Sequence, residues 1–170
     1  MRTIVASVSV ALLAGPALAQ PADPGPFQAA FDTCVEGAED AREMAACTGQ
    51  SARACQAQDG GQTTLGMTAC FAMETGLWDA KLNADWPEVK AWAAAADDED
   101  RPFFDGRFSN RLDSLIAAQR AWIAFRDAEC GLDYALWGSG SMRQIAGTAC
   151  RMEMTADRVI RLRFLADHMR

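Results

Sequence analysis

Six cysteines, at positions 34, 47, 55, 70, 130 and 150, sit downstream of a segment that reads as an export signal, and this combination constrains the fold more than any other feature. Arg2 gives a positive start, Ile4 to Leu13 form a short apolar run, and Ala17-Leu18-Ala19 makes a small-x-small site before Gln20. The run is too short to span a bilayer, so residues 1–19 are expected to be a cleavable signal peptide, removed after Ala19. No cysteine opens the mature chain, and no membrane anchor is expected. Localisation in the periplasm follows, and six cysteines in an oxidising compartment predict three disulfides. A thiol enzyme or a metal centre is the competing reading. It finds no C-x-x-C pair and no Cys/His ligand spacing, so neither a metal nor a cofactor is expected.

Helical periodicity chooses among the possible pairings. Apolar positions recur with a period near about 3.6, and no stretch alternates convincingly with period two, which predicts an all-α chain. The expected helices cover residues 27–37, 41–58, 64–96, 107–137 and 142–166, after an extended leader at 20–26 that holds Pro21, Pro24 and Pro26. In an antiparallel helical hairpin, residues equidistant from the turn face each other. Cys34 and Cys47 are centred on Asp40 and Ala41, Cys55 and Cys70 on Gln62 and Thr63, and Cys130 and Cys150 on Gly140. The predicted bridges are therefore Cys34–Cys47, Cys55–Cys70 and Cys130–Cys150, which staple an antiparallel bundle of about five helices in a single domain over 27–170. Pro87 should kink or split the third helix near 85–88. Asp97 to Asp105 reads as a solvated acidic loop.

Charge narrows the partners. The formal net charge is −7, and it is unevenly placed: residues 20–105 hold 16 acids and 5 bases, whereas 106–170 hold 7 acids and 10 bases. An acidic whole argues against nucleic acid and fits steering towards a cationic envelope protein, although simple solubility would give the same balance.

The expected centre is the helix bearing Gln119-Arg120-Ala121-Trp122-Ile123-Ala124-Phe125-Arg126-Asp127-Ala128-Glu129-Cys130, with Phe108, Leu112, Leu115 or Ile116, Trp122 or Ile123, Cys130, Tyr134 and Trp137 on its inward stripe. Gln119 and Arg126 share that stripe and need partners, because an unpaired buried charge costs several kcal/mol. This run, followed by Cys150, Thr155 and Arg158 and preceded by Cys70, Glu74, Trp78-Asp79 and Leu82-Asn83, resembles the LprI-type lysozyme-inhibitor domain family over residues 55–167. Trp86 stands where that family commonly has tyrosine, so a phenolic hydroxyl is missing. The resemblance implies a protein that inhibits lysozyme, and the lack of the usual enzymatic constellations in the chain separately predicts that it has no catalytic residues.

Pairing across a loop near position 102 places Glu74 within about one helical turn of Arg126. The structural reading is a buried ion pair, supplemented by Asp79, Asn83, Gln119 or Asp127, that fixes helix register; the other is an acid/base pair in a cleft. An arginine beside a carboxylate lowers its pKa, whereas a general acid needs it raised, which favours the structural reading. His168 is the sole histidine, so no Ser/His/Asp or Cys/His machinery assembles. Trp78, Trp86, Trp92 and Trp122 read as core. Trp137 differs, since it adjoins Gly138-Ser139-Gly140-Ser141-Met142-Arg143 at the tip of the last hairpin. Trp137, Ser139, Gly140, Ser141 and Arg143 are the candidate partner-binding residues, against the plainer reading of a glycine-based helix turn. Two rival functions stand beside inhibition: a periplasmic structural or stress-related interaction module, and a cell-wall hydrolase.

Overall fold

The computed structural model describes residues 20–165, so the expected signal peptide and its cleavage site, together with His168, lie outside the described residues. Among the described residues the chain is all-helical: α1 (Gly25–Gly37), α2 (Ala41–Ala46), α3 (Gln50–Gln56), α4 (Thr64–Asp100), a single 3-10 turn (Phe104–Gly106), α5 (Arg111–Leu136) and α6 (Met142–Arg163). All three bridges form as the hairpin geometry predicts: Cys34–Cys47, Cys55–Cys70 and Cys130–Cys150, with Cα separations of 5.9, 5.6 and 5.4 Å. Each joins neighbouring segments only.

The expected second helix is divided. Asp40 caps α2 by accepting from the Glu43 amide at 2.8 Å, and Glu43 reaches back to accept from the Glu39 amide at 2.9 Å. Gly49 then turns the chain at φ +79°, a left-handed conformation that is easy only without a side chain, and α3 starts in a new direction. The third expected helix departs the other way, for α4 runs unbroken through Pro87 and on to Asp100. Leu82, Val89 and Ala93 are buried on both sides of the proline. Their packing outweighs the ~3 kcal/mol that an interior proline costs, while the exposed position of Pro87 leaves water to hydrate the carbonyl it frees.

α4 and α6 form the spine, not the expected α5. They run parallel, with Val89, Ala93 and Leu162 in one apolar cluster and Trp78, Leu82, Met152 and Val159 in another, onto which α1, α2 and α3 fold. Trp78 is fully buried and meets Phe31 edge to face at 4.8 Å. α5 returns antiparallel along α6 and buries only Leu115, Gln119 and Cys130. Phe108 precedes α5 and is exposed, as is Ile123. The reason lies in the inward stripes. That of α6 is apolar for most of its length, whereas that of α5 is interrupted by Gln119 and Arg126, which sit better at an edge where polar partners and water are at hand.

The acidic stretch 97–105 is also not a simple solvated loop. Asp97 is 6% exposed and accepts from the amides of Arg111 at 2.9 Å and Leu112 at 3.0 Å, the first two residues of α5. Asn110, at the N-cap of α5, makes no side-chain cap, so Asp97 supplies the missing acceptor from another helix. Arg111 closes the corner with salt bridges to Asp97 and Asp100.

Candidate functional site

Of the polar side chains that the sequence places in the core, Glu74 is fully buried but does not pair with Arg126. Its carboxylate accepts from the amides of Gly49 and Ala52, each at 2.6 Å, and from the indole N–H of Trp78 at 3.0 Å. Gly49 is the N-cap of α3 and offers no side chain, so Glu74 caps α3 from α4. The expected ion pair fails for a topological reason. Equidistance from the loop presumes that α4 and α5 face each other along their length, whereas both pack chiefly along α6, and α3 takes up the carboxylate instead.

Arg126 turns to other partners. It donates to the Asp127 carboxylate at 3.1 and 3.2 Å and to the Thr155 hydroxyl at 3.4 Å, and its guanidinium lies 5.0 Å from the Trp122 ring centroid. Asp127 also receives Arg151 at 3.5 Å. Arg158 flanks the same indole at 5.5 Å and donates to the Gln119 side-chain oxygen at 2.7 Å. Burial, and then the nearby charge of Arg161, lower the Arg158 pKa below the ordinary arginine value. Asp79 and Asn83 bond to each other along α4 at 3.2 Å. The family-like residues Gln119, Trp122, Arg126, Thr155 and Arg158 thus make one knot between α5 and α6. Arg158 was legible as a motif residue, but its partner was not. Asp79, Asn83, Gln119 and Arg126 also meet at the walls of a recess of about 220 Å³ between α4 and α5.

Of the five loop residues, Ser139, Gly140, Ser141 and Arg143 come together beyond the C-terminal end of α5. α5 stops at Leu136 and Gly138 takes φ +53°; the Gly138 amide donates to Ala135 O at 3.0 Å and the Gly140 amide to Trp137 O at 2.9 Å. The Cys130–Cys150 bridge holds the base of this turn. Ser139, Gly140, Ser141 and Arg143 line a recess of about 370 Å³ with Gln144 and, from the start of α4, Thr64, Leu65 and Thr68. Because α4 and α6 are parallel, both of their N-termini border it, and their dipoles make it electropositive. No carboxylate lines it. Arg143 does not project as a free finger. Its guanidinium stacks on Tyr134 at 4.1 Å, and its buried Nε has no hydrogen-bond partner. Trp137 stands outside the recess and is half exposed, in the company of exposed Leu65, Leu136 and Met142. The contribution of α4 was missed because hairpin logic pairs sequence neighbours and is silent on a parallel pair 70 residues and more apart.

These features define a class: an all-helical scaffold stapled by three disulfides between neighbouring segments. The chain belongs to the LprI family of lysozyme inhibitors, whose model, described as Lysozyme inhibitor LprI, matches residues 55–162. A protein of Rhizobium meliloti (strain 1021), described as uncharacterised, is similar as well, at 31% identity over 103 residues that cover 61% of this chain and 73% of the relative. No solved structure matches the chain. The family span holds α4, α5, α6 and both recesses, while α1 and α2 lie before it.

Proposed function

We propose that the protein is exported to the periplasm, with cleavage after Ala19, and there inhibits lysozyme by docking the tip formed by Trp137, Ser139, Gly140, Ser141 and Arg143. It acts as a binding protein and contributes no catalytic residue. Family membership supports the partner. The observation that carries the site is the acid-free recess at two helix N-termini, lined by Arg143 and by the hydroxyl-bearing Ser139 and Ser141. Lysozyme-type glycosidases work with two carboxylates in an open cleft, and a carboxylate is the group such a recess receives best. Tyr134 and the disulfide hold Arg143 and its loop in place beforehand, so little ordering remains to oppose binding. Leu65, Leu136, Trp137 and Met142 supply apolar area around the polar centre. The acidic half of the chain steers the complex towards a basic enzyme surface.

The test is titration of the mature, oxidised protein into cell-wall lysis assays with several lysozyme types. Inhibition at micromolar concentration is expected for at least one, and Arg143→Ala should weaken it about tenfold or more. Lysis unchanged by the wild type, or inhibition unchanged in Arg143→Ala, would contradict the proposal.

A further inference from the structure

α5 carries two seams, and only one of them is covered among the described residues. The inward seam, with Leu115, Gln119 and Cys130 buried, packs along α6. The second runs down the outer side through Ala118, Ala121, Phe125, Ala128, Leu132 and Ala135, spaced three and four residues apart in turn. All of these are exposed, Phe125 to 57% and Leu132 to 52%, and no charged side chain interrupts the stripe. α6 shows what a solvated face looks like in the same chain, since its exposed positions beyond Cys150 are Arg151, Glu153, Asp157 and Arg161. An apolar repeat of about 3.5 residues on an open helix face is the spacing of a helix–helix seam.

We propose that the outer face of α5 binds a second copy of this chain, the two α5 helices packing antiparallel about a two-fold axis at the level of residues 126 and 127. The stripe is self-complementary in that register and in no parallel one. Phe125 faces Ala128 of the second copy, Leu132 faces Ala121, and Ala118 faces Ala135, so each bulky side chain meets a small one and the two-fold repeats every contact. A parallel pair would set Phe125 on Phe125 and alanine on alanine, crowded at one level and hollow at the next. The stripe from 118 to 135 is about 27 Å long, and two such faces remove on the order of 1,000 Å² from water, which just reaches what a specific interface needs. The dimer is therefore a weak one. Charge favours the same occupant: the mature chain is acidic as a whole, but residues 106–170 hold 7 acids and 10 bases, so two copies repel least through this half. A seam without charge offers a cationic partner nothing to pair with, whereas a second copy supplies the matching large and small residues. None of Ser139, Gly140, Ser141 and Arg143 belongs to this face, so the dimer stands independently of lysozyme binding at the tip.

The experiment is sedimentation velocity of the full oxidised protein from about 1 to about 500 μM, a range set by an interface of this size. The average mass should rise from one chain towards two, with half-dimerisation at about 10 to 200 μM. Phe125→Glu and Leu132→Glu should each weaken the dimer about tenfold or more, with helical content and thermal unfolding as in wild type because both side chains are exposed. Ala128→Phe alone should weaken it by crowding, and the exchange variant Phe125→Ala/Ala128→Phe should recover it, since the large and small partners have only changed places. Arg143→Ala should dimerise as wild type does. The proposal is overturned by a one-chain mass at every concentration, by a two-chain mass that persists unchanged in both glutamate variants, or by an exchange variant that dimerises no better than Ala128→Phe.

Discussion

Two acids on α4 do work that no residue of the neighbouring helices could do for itself. α3 begins at a glycine and α5 at an asparagine that makes no cap, and Glu74 and Asp97 reach across to take their first amides. Removing Glu74 leaves two backbone donors and an indole N–H buried without an acceptor. Glu74→Ala should therefore cost about 3 kcal/mol or more in chemical denaturation, well above an ordinary surface change. For Asp97, burial pushes the pKa up, but the Leu112 and Arg111 amides and the Arg111 guanidinium outweigh it and leave the carboxyl below its ordinary value of 3.8. A pKa lowered by folding means stabilisation that is complete at neutral pH and is lost as pH falls through 3.8 and beyond. Asp97→Asn should thus lower the melting temperature at pH 7, and the gap to wild type should close under acid conditions. That Glu74 is buried was legible from its place on an apolar stripe. Its partner was not, because the bonds run to amides exposed by a left-handed glycine, and backbone groups leave no mark in a pattern of side chains.

At the level of elements, the hairpin staples were the most legible feature. Cysteine spacing and turn residues together fix which cysteines can meet, and no long-range contact is needed to decide it. Helix boundaries were less so. Pro87 and Gly49 are both breakers by intrinsic preference, yet tertiary packing overrides the first and exploits the second. The hairpin that carries the proposed tip is α5–α6. Its bridge spans 20 residues, so a Cys130→Ser/Cys150→Ser double variant should lose about 3 kcal/mol of stability through the freed chain entropy of the unfolded state. The same variant should lose inhibition at temperatures where it is still folded, because the turn is no longer ordered before contact. Inhibition equal to wild type in the folded double variant would show that bracing of the tip is irrelevant.

For the molecule as a whole, the parallel run of α4 and α6 is what brings Thr64, Leu65 and Thr68 beside Ser139, Ser141 and Arg143. It could not be read from hairpin symmetry, since a parallel pair has no turn between its members to mark the register. The all-helical class and the staples were legible; the order of the helices across the bundle, and hence which faces stay open, depended on α6 taking the place expected of α5. The charge asymmetry sets α4 and its acids on one side of the molecule's composition and the bases of α5 and α6 on the other. The central claim is that the tip, and not the long helical faces, meets lysozyme. Amide hydrogen exchange of the oxidised protein with and without lysozyme tests it most directly. Protection confined to residues 64–68 and 136–144 is the predicted result, and protection elsewhere with those two segments unchanged would contradict it.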